Sequence, residues 1–174
     1  MRKIALHEAG HLVVCEALRP GSVGLASIRS SNGEASDGFI HRCRDLPRET
    51  DYVLVSLAGK AAVELFYADA CADGCMGDIH RAFRIIRDGI WEKAASGFGL
   101  VYDSSNKLSE NMLSRIEAVT HAELERYLLK TRDILLRNMD FLVEATEALM
   151  EKGTLLYSDI RAIRDSVAIT EVAV

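Results

Sequence analysis

A helix that is apolar on every side has to be buried, and Arg2 to Leu18 reads as one. Ile4, Leu6, Ala9, Leu12, Val13, Val14, Cys15 and Leu18 leave no polar face, and Pro20-Gly21 stops the run. Within it sit His7, Glu8 and His11. Burying two imidazoles and a carboxylate without partners is costly, so they must be hydrogen-bonded in the core or gathered on a metal. At a spacing of four the two imidazoles share one helix face, where both can reach a single Zn²⁺ at about 2.0–2.1 Å. Glu8 lies about 100° further round the helix. It misses ligation but reaches a water on the metal. Zinc lowers such a water's pKa toward roughly 7, and a carboxylate can take its proton as it attacks a peptide carbonyl.

The pattern is HExxH, and two histidines alone do not make a catalytic site. A third protein ligand is required, with one position left for water. The extended HExxHxxGxxH pattern is absent, because Val14 and Ala17 stand at its last two marked positions. The candidates are Glu64, Asp73, Cys75, Asp78, His80 and His41, and spacing alone does not choose among them. Asp78 also reads as a helix N-cap or first-turn acid after Gly77.

The remaining chain is mainly helical. Val23 to Ile28 and Gly38 to Cys43 are short strand candidates around the turn-rich Ser30 to Asp37, and they form the only convincing β region. Pro47 suits a first helical turn, followed by Val53, Leu57, Ala58, Ala61, Ala62, Leu65 and Phe66 at helical spacing. Asp73 to Gly77 reads as a break, and Ile79, Phe83, Ile86 and Ile90 line one face of the next helix. Ser96 to Lys107 reads as loop or short extended structure. Ser109 is an N-cap candidate for a long helix carrying Met112, Ile116, Val119, Tyr127 and Leu128. Asn138 begins its successor, Gly153 ends it, and Ser158 caps a last short helix. Thr170 to Val174 reads as a frayed tail. The predicted class is mainly α (α+β), with a small β-element after the first helix and a C-terminal helical bundle. Residues 1–108 form the core that carries the metal motif, and 109–174 a helical subregion of the same domain.

Composition narrows the partners. With 174 residues and a net charge of −5, clustered basic surface for nucleic acid is not expected. No apolar run approaches a membrane span, and His7, Glu8 and His11 interrupt any signal-peptide core. Cys15, Cys43, Cys71 and Cys75 have no CxxC spacing and read as reduced thiols in a cytoplasmic compartment.

Several blocks together resemble the peptidase domain of FtsH-type ATP-dependent zinc metalloproteases. Ala5 to His11 looks like that family's HEAGH helix. Ala58-Gly59-Lys60-Ala61-Ala62-Val63-Glu64-Leu65 is similar to its Gly-Gly-Arg-Ala-Ala-Glu-Glu-Leu block. Asp73 to Ile79 is similar to its Thr-Gly-Ala-x-x-Asp-Leu block, and Gly38-Phe39-Ile40 stands where it has the Gly-Tyr of a substrate-side strand. Gly153 to Ile160 fits its closing helical segment. The blocks keep the family's order across nearly the whole chain.

The resemblance implies a zinc endopeptidase for unfolded or extended polypeptides. His7, His11 and Asp78 would hold Zn²⁺, and Glu8 would be the general base. Glu64 would orient a ligand histidine, while Gly38, Phe39 and Ile40 would receive substrate by β-augmentation. It also implies an AAA ATPase module as partner, in a longer parent or a separate chain, and a homo-oligomer, since family members work as hexameric rings. A parent with an anchor would place the domain at the cytoplasmic face of a membrane. Nothing in the chain matches GxxxxGK[ST], so the metal chemistry carries over and ATP-driven degradation does not. The contrasting expectation is a non-catalytic FtsH-like interaction domain with structural zinc or none.

Overall fold

The structure is a computed structural model. It describes residues 1–29, 35–67, 72–91, 97–101 and 109–172, with 35–37 and 72–74 as backbone only. The elements run α1 (Arg2–Leu18), β1 (Val23–Arg29), β2 (Ala35–Arg42), α2 (Glu49–Phe66), α3 (Ala72–Trp91), α4 (Glu110–Arg137), α5 (Met139–Lys152), β3 (Thr154–Leu156) and α6 (Tyr157–Ser166). The class is mainly helical with one small antiparallel sheet of order β2-β1-β3. Among the described residues no helix is long and apolar enough to cross a membrane.

α1 is the central element. From Ala5 to Leu18 every residue except His7 is buried, because α2, α5, the sheet and α4 pack around it. β1 follows the Pro20-Gly21 stop and packs on α1, with β2 on one side and β3 on the other. Ala26 stands opposite Ile40 in β2 and Leu155 in β3. β2 is therefore an edge strand of the sheet. Ser109 accepts a hydrogen bond from the Met112 N–H at 3.2 Å, as the N-cap reading expects. Gly153 ends α5 in the left-handed conformation.

Several expectations change. Pro47 precedes the helix, which begins at Glu49 with Arg48 as its N-cap, and residues 35–37 of the expected turn belong to β2. A third strand exists: three residues after Gly153 carry no sequence periodicity, and pairing with β1 defines them. The break at Asp73 to Gly77 is helical, since α3 already begins at Ala72, so Asp78 lies well inside a helix and is not its N-cap. Ser158 is the second residue of α6. The capping contact there is the Asp159 carboxylate, which accepts from the Leu156 N–H at 3.0 Å. The tail is pinned. Thr170 N–H donates to Asn138 Oδ1 at 2.8 Å, and Val172 N–H donates to the Ala17 carbonyl at 2.9 Å. Residues 97–101 lack regular structure; the rest of Ser96 to Lys107, the turn at 30–34 and Cys71 lie outside the described residues.

One buried carboxylate fastens the end of α1. Glu16, fully buried, accepts from Gly21 N–H at 2.7 Å, Val23 N–H at 2.9 Å and Arg164 Nη1 at 3.0 Å. It thereby joins α1, the start of β1 and α6. Removing one partner of a buried pair strands the other charge. Glu16→Ala is expected to cost about 3–5 kcal/mol and to lower Tm by roughly 10 °C. A denaturant titration showing a loss under about 1 kcal/mol would contradict the role.

Candidate metal centre

The HExxH spacing on α1 and the packing of both α1 and α3 against α2 bring three donor atoms to one point. His7 Nε2 lies 3.0 Å from His11 Nε2 and 3.2 Å from Asp78 Oδ2, and His11 Nε2 lies 3.1 Å from the same oxygen. Tetrahedral ligands bonded at about 2.0–2.1 Å stand roughly 3.3 Å apart, close to this triangle. The imidazole rings meet edge to face at 78°, so their lone pairs can converge. Among the described residues no other group of three or more His, Cys, Asp or Glu gathers its donor atoms in this way.

The outer nitrogens determine which inner nitrogens are available. His11 Nδ1–H donates to the Val55 carbonyl at 2.7 Å. A carbonyl only accepts, so the neutral ring presents an unprotonated Nε2 to the centre. His7 Nδ1 faces the Cys75 sulfur at 3.8 Å, behind the ring rather than at the donor triangle. Gly59 makes room for that ring: a Cβ there would run into the His7 imidazole.

Charge is tightly coupled. Burial alone would lower His11, but its hydrogen bond to Asp78 and the charges of Asp78 and Glu8 hold the imidazole above its ordinary value. Burial alone would raise Asp78, but its hydrogen bonds to His11 and His7 and their charges hold it far below the usual carboxylate range. Glu8, 3% exposed, is pushed up to about 7, chiefly by burial; the His11 charge opposes this and Asp78 adds to it.

These residues open on a cleft of about 340 Å³ walled by Gly38, Phe39, Ile40, Arg42, Tyr52 and Arg81. Gly38 has φ of +73°, and a Cβ there would lie 2.6 Å from Glu8 Oε1, so the β2 backbone rests directly against the Glu8 side chain. The other candidates stand elsewhere. Glu64 pairs with Lys60 along α2, and the contacts expected of it at a ligand histidine are made by Val55 and Cys75. His41 is exposed on β2. His80 lines a separate, more apolar hollow between α3 and α4 with Phe83 and His121. The Asp73 side chain lies outside the described residues. Sequence reasoning did not find Val55, Arg42, Tyr52 or Arg81. The signal for Arg42 was available, since it stands two residues after Ile40 and shares its face.

No protein-family model matches the chain. It is distantly similar to two curated bacterial proteins. One is the ATP-dependent zinc metalloprotease FtsH of Mycoplasmoides gallisepticum, 24% identical over 186 residues that cover 97% of this chain and 24% of that protein. The other is the ATP-dependent zinc metalloprotease FtsH 2 of Symbiobacterium thermophilum, 26% identical over 175 residues, covering 93% of this chain and 30% of that one. The chain thus spans less than a third of either relative.

Two outcomes follow for metal binding. Gly59→Ala favours the α2 helix by up to about 1 kcal/mol but displaces His7, so zinc affinity should fall at least tenfold with helix content unchanged. Circular dichroism with a competition titration checks this, and unaltered affinity contradicts it. Zinc binding must also displace the proton that His11 holds. Below the raised His11 pKa, affinity should fall about tenfold per pH unit for each proton released. Affinity independent of pH between about 6 and 8 would contradict this coupling.

Proposed function

We propose that this chain is a zinc-dependent endopeptidase domain acting on unfolded or extended polypeptides. The observation that carries the reading is the convergence of His7, His11 and Asp78 beside the buried Glu8 carboxyl, under an edge strand. The donor set suits zinc: two imidazole nitrogens and one carboxylate leave a fourth tetrahedral position open. Zinc held there supplies a Lewis acid that acidifies water and polarises the scissile carbonyl.

The chain's own groups do the rest. An extended peptide pairs with the outer edge of β2, and Gly38 lets its backbone pass close to Glu8. Glu8 takes a proton from the attacking water and delivers it to the leaving amine nitrogen. Its carboxyl is suited to both transfers, because burial brings its proton affinity near neutrality. Val55 holds His11 in the tautomer that exposes Nε2. A cleft of about 340 Å³ admits a single extended strand, so an unfolding ATPase, in the same or a separate chain, is the partner this reading calls for. The similarity to the two FtsH proteins supports the same chemistry.

Glu8→Gln should retain zinc at wild-type stoichiometry while cleavage of an unfolded protein such as casein falls by about 10²-fold or more. Retained cleavage would sink the assignment of Glu8. A wild-type protein that binds zinc and cleaves no unfolded chain would favour a non-catalytic interaction domain instead.

A further inference from the structure

The cleft contains an unused cation. Along β2 the residues alternate between half-buried Gly38, Ile40 and Arg42 and exposed Phe39 and His41, as a strand with one face inward requires. Arg42 therefore faces the same side as Gly38, which touches Glu8. It stands about 13 Å further along the strand by the usual rise. Its guanidinium lies over the Tyr52 ring at 4.6 Å, and Tyr52 is held by its hydroxyl, which accepts from the Leu46 N–H at 3.2 Å. The aromatic face holds the cation in place and leaves its edge N–H groups to find partners of their own.

Those edge groups are not satisfied. Arg42 Nη1 is buried and has no hydrogen-bond partner among the described residues, a state that costs free energy until a partner arrives. Arg81, reaching the same cleft from α3, forms no ion pair with any described residue. Among the described residues the acids lining this cleft are Glu8 and Asp78, and Asp78 is engaged by the two histidines. Burial pushes the Cys15 thiol up to about 12, and the positive charges of Arg42 and Arg81 oppose that rise. The chain as a whole carries −5, so two arginines in one cleft without ion pairs to described residues do not follow from composition.

We propose that Arg42, with Arg81 beside it, is the specificity-determining residue of the cleft and binds a carboxylate of the substrate on one side of the scissile bond. The planar fork of an arginine matches a carboxylate in two parallel hydrogen bonds. The carboxylate belongs either to an Asp or Glu side chain within about four residues of the cut, the span from Gly38 to Arg42, or to the substrate's C-terminus. The proposal rests on the peptidase reading for the nature of its ligand, and the experiment has an arm that does not need turnover.

Internally quenched peptides carrying Glu or Gln at each position flanking the cut, with free or amidated C-termini, are compared on wild type, Arg42→Gln and Arg42→Lys. Wild type should prefer Glu to Gln, or a free C-terminus to an amide, about tenfold in kcat/KM, on one side only. Arg42→Gln should bring the two within about twofold, and Arg42→Lys, keeping charge without the fork, should fall between. The same peptides, fluorescently labelled, are titrated into zinc-loaded Glu8→Gln protein with and without Arg42→Gln, and the acid preference should appear and vanish there too. Equal handling of acid and amide by wild type, or a preference that survives Arg42→Gln in both arms, would overturn the proposal. If no peptide is cleaved by any variant, the peptidase reading fails while the binding arm still decides the role of Arg42.

Discussion

A buried helix carrying two imidazoles and two carboxylates must give each of them a partner, and much of this structure supplies those partners for α1. Glu16 takes two backbone N–H groups and Arg164, which ties the sheet and α6 to the end of the helix. His11 takes the Val55 carbonyl on one side and Asp78 on the other. Desolvation is severe enough that none of these groups can be left alone. The packing of α1 and α3 against α2 is therefore the packing that assembles the donor triangle.

The apolar helix, its stop at Pro20-Gly21 and the first two strands were legible because each rests on a local rule: periodicity, a breaker or alternation. The pairing of His7 with His11 was legible for the same reason, since four residues make one helical turn. Asp78 was different. It arrives from sixty-seven residues away, and no local rule separates it from Cys75 or His80 on the same helix. Only the resemblance to a family singled it out, and geometry then brought its oxygen to both histidines. β3 escaped notice because three residues show no period, and the start of α3 because Gly74 and Gly77 look like a break. The tail was misjudged because its anchors, Asn138 and Ala17, are distant side-chain and backbone groups.

The orienting partner of His11 was sought among side chains and is a backbone carbonyl. Any residue at position 55 would present that oxygen, so sequence carries no trace of it. Arg42 illustrates the opposite case. Its place on the face of Gly38 follows from alternation, but its significance lies in a missing partner, which only the packed structure reveals. The similarity to FtsH proteins is distant and spans less than a third of their length.

The claim on which the account depends is that His7, His11 and Asp78 hold one zinc and leave one position open. X-ray absorption at the zinc edge of the metal-loaded protein tests it directly. The account predicts a shell of four light atoms at about 2.0–2.1 Å, two of them imidazole nitrogens and no sulfur. A sulfur scatterer at about 2.3 Å, which would place Cys75 in the shell, or a third imidazole closing the open position, would contradict it.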